Sequence, residues 1–151
     1  MTVEEIQGLP LPELAADDAA LFLWTPVRLL PEALRVVEQW GFAYCGTITM
    51  VKNRLGLGTW LRTSSEHVLL AVRGGIRPRP GHNVRSWFEA PAGRRRHLAK
   101  PSAFYELVER MFPEGPYLEL FARGRPRHRW VAWGDEAEPA GRALDQHPGR
   151  A

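Results

Sequence analysis

One cysteine, Cys45, is all that 151 residues contain. A single thiol excludes an intrachain disulfide and any cysteine-based zinc cluster, and it suits a reducing compartment. No apolar run approaches the length of a membrane helix, and the opening residues lack the basic-then-apolar pattern of a secretory signal. These absences predict a cytoplasmic protein. A strong excess of either charge is lacking too: 20 Lys and Arg against 17 Asp and Glu leave a formal net charge of +3, with a pI near 9.5. That balance accommodates a nucleic-acid partner without requiring one. No Ser/His/Asp or Cys/His nucleophile pattern is framed by its usual neighbours. His67 has no second histidine at helical spacing and no cysteine nearby, so it reads as a hydrogen-bonded strand histidine, not a metal ligand. Cys45 lies in an apolar strand and reads as inert. Gly56 and Gly58 lack the strand-to-helix frame of a phosphate-cradling loop.

What is present argues for a folded domain. Hydrophobic residues make up 44% of the chain, with six Trp and six Phe, far from the composition of a disordered segment. Thr2, with Glu4 and Glu5 behind it, predicts a capped helix start. Ala19 to Trp24 is nearly unbroken apolar sequence, the mark of a strand covered on both faces, which predicts a parallel sheet. Pro31 to Trp40 reads as a helix with Leu30, Leu34 and Val37 on its apolar face and Gly41 at its exit. Strands are predicted over Tyr44–Val51 and Glu66–Val72. Only a glycine-punctuated loop, Lys52 to Arg62, joins them, which predicts an antiparallel pair near a sheet edge. Ser86–Ala90 is one more short candidate.

The stretch from His97 to Arg123 organises the rest. Phe104, Leu107, Val108 and Met111 fall at i, i+3, i+4 and i+7 and predict an amphipathic helix. Pro101 is expected in its first turn, and Pro113, Gly115 and Pro116 stop it. Tyr117 to Ala122 then reads as a buried strand broken by Glu119, whose side chain points away from those of Leu118 and Leu120. In open α/β sheets ligands bind beyond the carboxyl ends of strands, where Arg123 stands. A buried carboxylate must be paired or ligand-bound. A structural ion pair, with Arg123 or another arginine, and a ligand contact are both open for Glu119. Arg94, Arg95, Arg96 and His97 form either a grip on a phosphate backbone or a solvated loop. Gly134-Asp135-Glu136 after Trp130–Trp133 is either a simple turn or an acceptor of ribose hydroxyls. Trp60 and Trp87, read as loop residues, either stack on bases or fold back onto a core.

Lys100-Pro101 opening a helix, then Tyr117-Leu118-Glu119-Leu120-Phe121-Ala122-Arg123 and Trp130-Val131-Ala132-Trp133-Gly134-Asp135-Glu136, resembles the MT-A70 family of adenine-N6 methyltransferases. Leu21-Phe22-Leu23-Trp24-Thr25 and Glu66-His67-Val68-Leu69-Leu70 add to the resemblance, which runs from about Thr2 to Glu136. It implies a Rossmann-like α/β methyltransferase fold with a mostly parallel sheet and permuted motif order, covering 1–136, followed by a flexible tail over 137–151. It implies S-adenosylmethionine as cofactor, with Lys100, Glu119, Phe121, Arg123, Asp135 and Glu136 at its site. Asp135 stands where the family more often has Asn. It also implies DNA or RNA containing adenine as partner, with Arg94, Arg95, Arg96, His97 and Trp60 as contacts. The family's catalytic Asp-Pro-Pro-Trp is absent from the sequence. Two readings follow: an N-terminally truncated enzyme, inactive in this form, or a non-catalytic nucleic-acid-binding partner of an active subunit. Loss of the strand carrying that motif would leave open edges such as Leu21 to Trp24, and predicts aggregation or a homo- or hetero-oligomer.

Overall fold

The computed structural model describes residues 1–89, 100–124, 126–134 and 136–137. They divide into two units. The first holds Met1–Gly93 and Pro101–Pro113, the second Arg94–Lys100 and Glu114–Ala151.

The first unit opens with helix α1 (Val3–Gln7). Thr2 caps it as expected: its hydroxyl accepts from the Glu5 N–H, and the Glu5 carboxylate accepts from the Thr2 N–H. A short turn, α2 (Leu11–Leu14), precedes strand β1 (Ala19–Thr25). Helix α3 (Leu30–Gln39) leads to β2 (Ala43–Val51), β3 (Ser65–Arg73) and β4 (Trp87–Glu89), and helix α4 (Ser102–Met111) completes the unit.

Strand order in the sheet is β1-β3-β2-β4. Here the expectation of a mostly parallel sheet is corrected. β3 runs antiparallel to both β1 and β2 over long ladders, and only the short β4 pairs in parallel with β2. The physical reason is the connection: β2 and β3 are joined by a loop with no crossover helix, which returns the chain antiparallel. β2 and β3 are the inner strands of this order, each one strand from an edge as expected. β1 and the short β4 are the edge strands among the described residues, pairing with β3 and β2 respectively. The apolar run of β1, read from the sequence as covered on both faces and parallel, is half-buried in an antiparallel ladder, with helix α4 packed on it. Phe22 and Trp24 meet Phe104 of α4 edge-to-face, with ring centroids 5.9 and 5.0 Å apart.

Helix α4 buries Phe104, Leu107, Val108 and Met111, the four positions its periodicity names. Pro101 is its N-cap, extended at φ −71° and ψ 148°, and so lies one residue outside the first turn. Helix α3 departs from expectation. Leu34 is exposed, and the buried stripe is Ala33, Val36, Val37 and Trp40. That set also has helical spacing, and it wins because the large Trp40 ring goes inside and its Nε1–H donates to the Gln7 carbonyl at 3.2 Å. Gly41 leaves the helix at φ +76°, a region that favours glycine.

The second unit is built on two parallel strands, β5 (Tyr117–Leu120) and β7 (Trp130–Trp133), in register from Tyr117↔Trp130 to Leu120↔Trp133. Two-residue strands β6 (Arg123–Gly124) and β8 (Glu136–Ala137) pair in parallel beyond them. The expected strand over Tyr117–Ala122 stops at Leu120, because Phe121 turns to φ +58°. No helix among the described residues is long and apolar enough to cross a membrane. The tail expected over 137–151 lies outside the described residues, apart from Ala137 in β8.

Candidate functional site

The second unit brings its chemistry to the carboxyl end of the β5–β7 pair. Alternation along β5 puts Tyr117 and Glu119 on the buried side, while Leu118 is exposed. The expected run of buried leucines around a carboxylate is therefore turned over. The reason is local: the Tyr117 ring stacks on the Trp130 ring at 4.8 Å and 16°, and that aromatic pair takes the buried face. Glu119 shares this face and is buried with it.

Lys100 is one partner of Glu119. The ammonium Nζ donates to Glu119 Oε1 at 2.5 Å, with the lysine side chain 22% exposed and the glutamate 9%. Charge-assisted hydrogen bonds of this kind are among the strong ones.

Where β5 ends, the chain makes a tight corner. Phe121 is exposed, and its ring meets Trp133 edge-to-face at 5.9 Å. The Ala122 N–H donates to the Trp133 carbonyl at 3.0 Å. Gly134 closes against this corner: a Cβ there would stand 2.8 Å from the Ala122 nitrogen and 2.9 Å from its oxygen. Only a residue without a side chain allows that approach. Arg123 and Glu136 face each other as register partners of β6 and β8.

Thus Lys100, Glu119, Phe121, Arg123 and the backbone of Glu136 share one end of one small unit. Asp135 and Arg94, Arg95, Arg96 and His97 lie outside the described residues. Trp60 belongs to the first unit and is 95% exposed on its loop, so it does not fold back onto a core. Trp87 is in strand β4, not in a loop. Sequence reasoning missed Trp133 and the close approach at Gly134. The Trp-Gly dipeptide at a strand end, three residues after another Trp, was the available signal.

The first unit contributes no comparable site. His67 Nδ1 lies 3.2 Å from the Thr49 hydroxyl, a strand histidine bonded to its cross-strand neighbour. Among the described residues no three His, Cys, Asp or Glu side chains gather to hold a metal. Cys45 is exposed, at the bulge between Tyr44 and Gly46, not sealed in an apolar strand. A cavity of about 150 Å³ beside Ile48, Leu70, Val84 and Met111 is lined almost wholly by apolar surface.

The MT-A70 family model matches residues 1–136. The chain belongs to the MT-A70 family. It is 33% identical over 139 residues to the type II methyltransferase M.MunI of Mycoplasma sp, covering 90% of this chain and 58% of that protein. An N(6)-adenosine-methyltransferase MT-A70-like protein of Arabidopsis thaliana is 31% identical over 145 residues, with 90% and 21% covered. The human N(6)-adenosine-methyltransferase catalytic subunit METTL3 is 30% identical over 149 residues, with 91% and 25% covered. The chain therefore spans a little over half of the first of these relatives and a quarter or less of the others. Leu21–Thr25, Glu66–Leu70, Lys100-Pro101 and Glu119–Arg123, the stretches that carried the resemblance, all lie within the matched range.

The residues at the β5–β7 end suit an amino-acid nucleoside such as S-adenosylmethionine. A methionine moiety carries one carboxylate and one ammonium, and Lys100 and Glu119 offer one charge of each sign, both largely withdrawn from water. An adenine ring needs a flat apolar neighbour, and Phe121 stands exposed beside them.

Proposed function

We propose that this chain is the cofactor-binding and substrate-gating part of an S-adenosylmethionine-dependent methyltransferase that acts on adenine N6 in DNA or RNA, on a Rossmann-like fold. The observation that carries the reading is the buried Lys100–Glu119 pair at the carboxyl end of a parallel strand pair. A buried ion pair is a weak source of stability, so its place at a ligand-binding end argues for recognition. Lys100 and Glu119 hold the cofactor's charged end, Phe121 lies against its base, and Arg123 with Asp135 and Glu136 serves its polar rim. Arg94, Arg95, Arg96, His97 and Trp60 face the nucleic acid. The bound cofactor supplies an electrophilic methyl group. Transfer then needs the acceptor amine held in line, which makes positioning the protein's main task.

Within the 151 residues no Asp-Pro-Pro-Trp holds that amine. The chain alone is accordingly read as inactive, with the whole protein's activity depending on such a motif from elsewhere. That same absence favours a second reading, a non-catalytic nucleic-acid-binding partner subunit.

Calorimetric titration with S-adenosylhomocysteine tests the cofactor assignment. Glu119→Gln is expected to weaken binding at least tenfold, while the exposed Glu114→Ala leaves it unchanged. Equal affinities in the two variants would remove Glu119 from the site. Labelled methyl transfer to adenine-containing DNA and RNA separates the two readings. The chain is expected to transfer none alone and to become active when joined to a segment bearing Asp-Pro-Pro-Trp. Nucleic-acid binding without cofactor binding would instead favour the partner subunit.

A further inference from the structure

The first unit carries a second concentration of unused charge, on the segment between β3 and β4. From Gly74 to Phe88 the chain has Arg77, Arg79 and Arg85 with His82, and no carboxylate at all. All three arginines are exposed. Among the described residues none of them is ion-paired. Arg77 donates only to the carbonyl of its neighbour Ile76, at 2.8 Å. Arg73, just before this segment, makes the contrast. Its guanidinium donates to the carbonyls of Pro12, Ala15 and Ala16 and lies over the Phe42 ring, so its charge serves the fold.

The segment is held in place although it is irregular. The Arg79 N–H donates to the Met111 carbonyl at 2.7 Å, and the Val84 N–H to His82 Nδ1 at 3.0 Å. The Thr49 N–H donates to the Ser86 carbonyl at 2.9 Å. Pro78 and Pro80 restrict the backbone further. Three cations are thus presented from a fixed frame, which limits the ordering entropy lost when they bind.

An aromatic platform completes the patch. Trp87 is 45% exposed, and the Arg85 guanidinium lies over its ring at 5.8 Å. Guanidinium groups match phosphate oxygens in a planar fork, and an indole face beside them accepts a stacked base. An acidic peptide would use the charges but leave the ring idle.

We infer that Arg77, Arg79, Arg85 and Trp87 form a binding surface for a single strand of nucleic acid, the arginines on phosphates and Trp87 under a base. The choice of ligand rests on the methyltransferase reading, but the surface lies in a different unit from the cofactor residues, and its test needs no cofactor.

The experiment is fluorescence anisotropy of the full chain with a labelled single-stranded oligonucleotide across a salt series. Replacing all three arginines (R77A/R79A/R85A) should reduce the slope of log affinity against log salt by about 2, at roughly 0.7 per phosphate contact. Arg28→Ala combined with Arg35→Ala, which removes two exposed charges elsewhere, should leave the slope unchanged. Trp87→Ala should weaken binding by about fivefold or more, with Trp87→Phe retaining most of it. An unchanged slope in the triple arginine variant would overturn the surface and leave the methyltransferase reading standing. So would polyglutamate of matched charge binding as tightly, with no effect of Trp87→Ala. Loss of S-adenosylhomocysteine binding alone would sink the methyltransferase reading and leave the surface intact.

Discussion

The two units each contain one lysine–glutamate pair, and the pairs differ in their relation to water. In the first unit Lys52 pairs with Glu66 across the β2–β3 ladder, with side chains 38% and 39% exposed. In the second, Lys100 and Glu119 are 22% and 9% exposed. Solvent screens the first pair and leaves it close to neutral for stability. The second has given up hydration on both charges, a loss that mutual attraction in a drier setting barely offsets. Around them the units also differ in what keeps them folded. The first has edge-to-face aromatic contacts of Phe22 and Trp24 with α4 and a central ladder of Val68, Leu69 and Ala71, all buried. The second leaves Leu118, Phe121, Val131 and Trp133 exposed and keeps a carboxylate inside. The comparison teaches where each unit keeps its buried side chains apolar: the first seals a hydrocarbon and aromatic core and leaves its ion pair in water, while the second buries an ion pair and leaves large apolar side chains outside.

The largest expected effect breaks the buried pair from one side. Lys100→Ala removes the cation paired with the buried Glu119 carboxylate and should cost about 3 kcal/mol in urea denaturation. Lys52→Ala should cost about 0.5 kcal/mol, as exposed pairs do. Removing both buried charges together, as Lys100→Met with Glu119→Leu, should recover most of the stability while abolishing cofactor binding. Equal losses in the two single lysine variants would erase the distinction between the units.

A charge satisfied by neutral groups sharpens the same comparison. Arg73→Ala removes bonds to three backbone carbonyls but leaves no opposite charge behind. The expected loss is about 2 kcal/mol, with faster amide exchange over residues 12–16. A loss as large as that of Lys100→Ala would show that loss of an opposite charge is not what makes the buried pair sensitive.

A small effect, near that of the exposed lysine pair, belongs to the solvated N-terminal end of the first unit. Thr2→Ala removes the cap of α1 and should cost about 0.5–1 kcal/mol in thermal melts. Glu4 beside it has its carboxyl held below the ordinary value, first by a backbone hydrogen bond and then by the Thr2 hydroxyl. A lowered folded-state value means that this contribution is present above the unfolded carboxylate range and fades as pH falls through the folded one. The Thr2→Ala penalty should therefore shrink in acid. A penalty constant from neutral pH down to pH 2 would count against the cap's electrostatic part.

Local signals carried much of the fold. The i, i+3, i+4, i+7 spacing of α4 named its four buried residues because one stripe of large side chains had no competitor. The strand Trp130–Trp133 was legible for a similar reason. Helix α3 was misread because two stripes share Val37, and the choice between them depends on Trp40 reaching the Gln7 carbonyl. The apolar run at β1 announced a strand, but its residues Ala19 to Trp24 are half-buried, not sealed on both faces, and an apolar run says nothing of strand direction. Glu119 announced itself as a buried charge needing a partner. Its partner, nineteen residues earlier, was not legible, because no periodicity links a loop lysine to a strand.

By itself, then, the sequence determined the buried face of α4, the strand positions, the scarcity of thiols and the order of motifs that marks an MT-A70 chain. These are properties of neighbours within a few residues, where spacing translates directly into which side of an element a side chain occupies. The tertiary structure alone decided that β1 joins the far side of β3 and runs antiparallel to it, that Lys100 meets Glu119, and that Gly134 lies against Ala122. Each of these joins residues far apart in the chain, and such contacts are selected by packing and charge compensation over the whole fold, which no local pattern encodes.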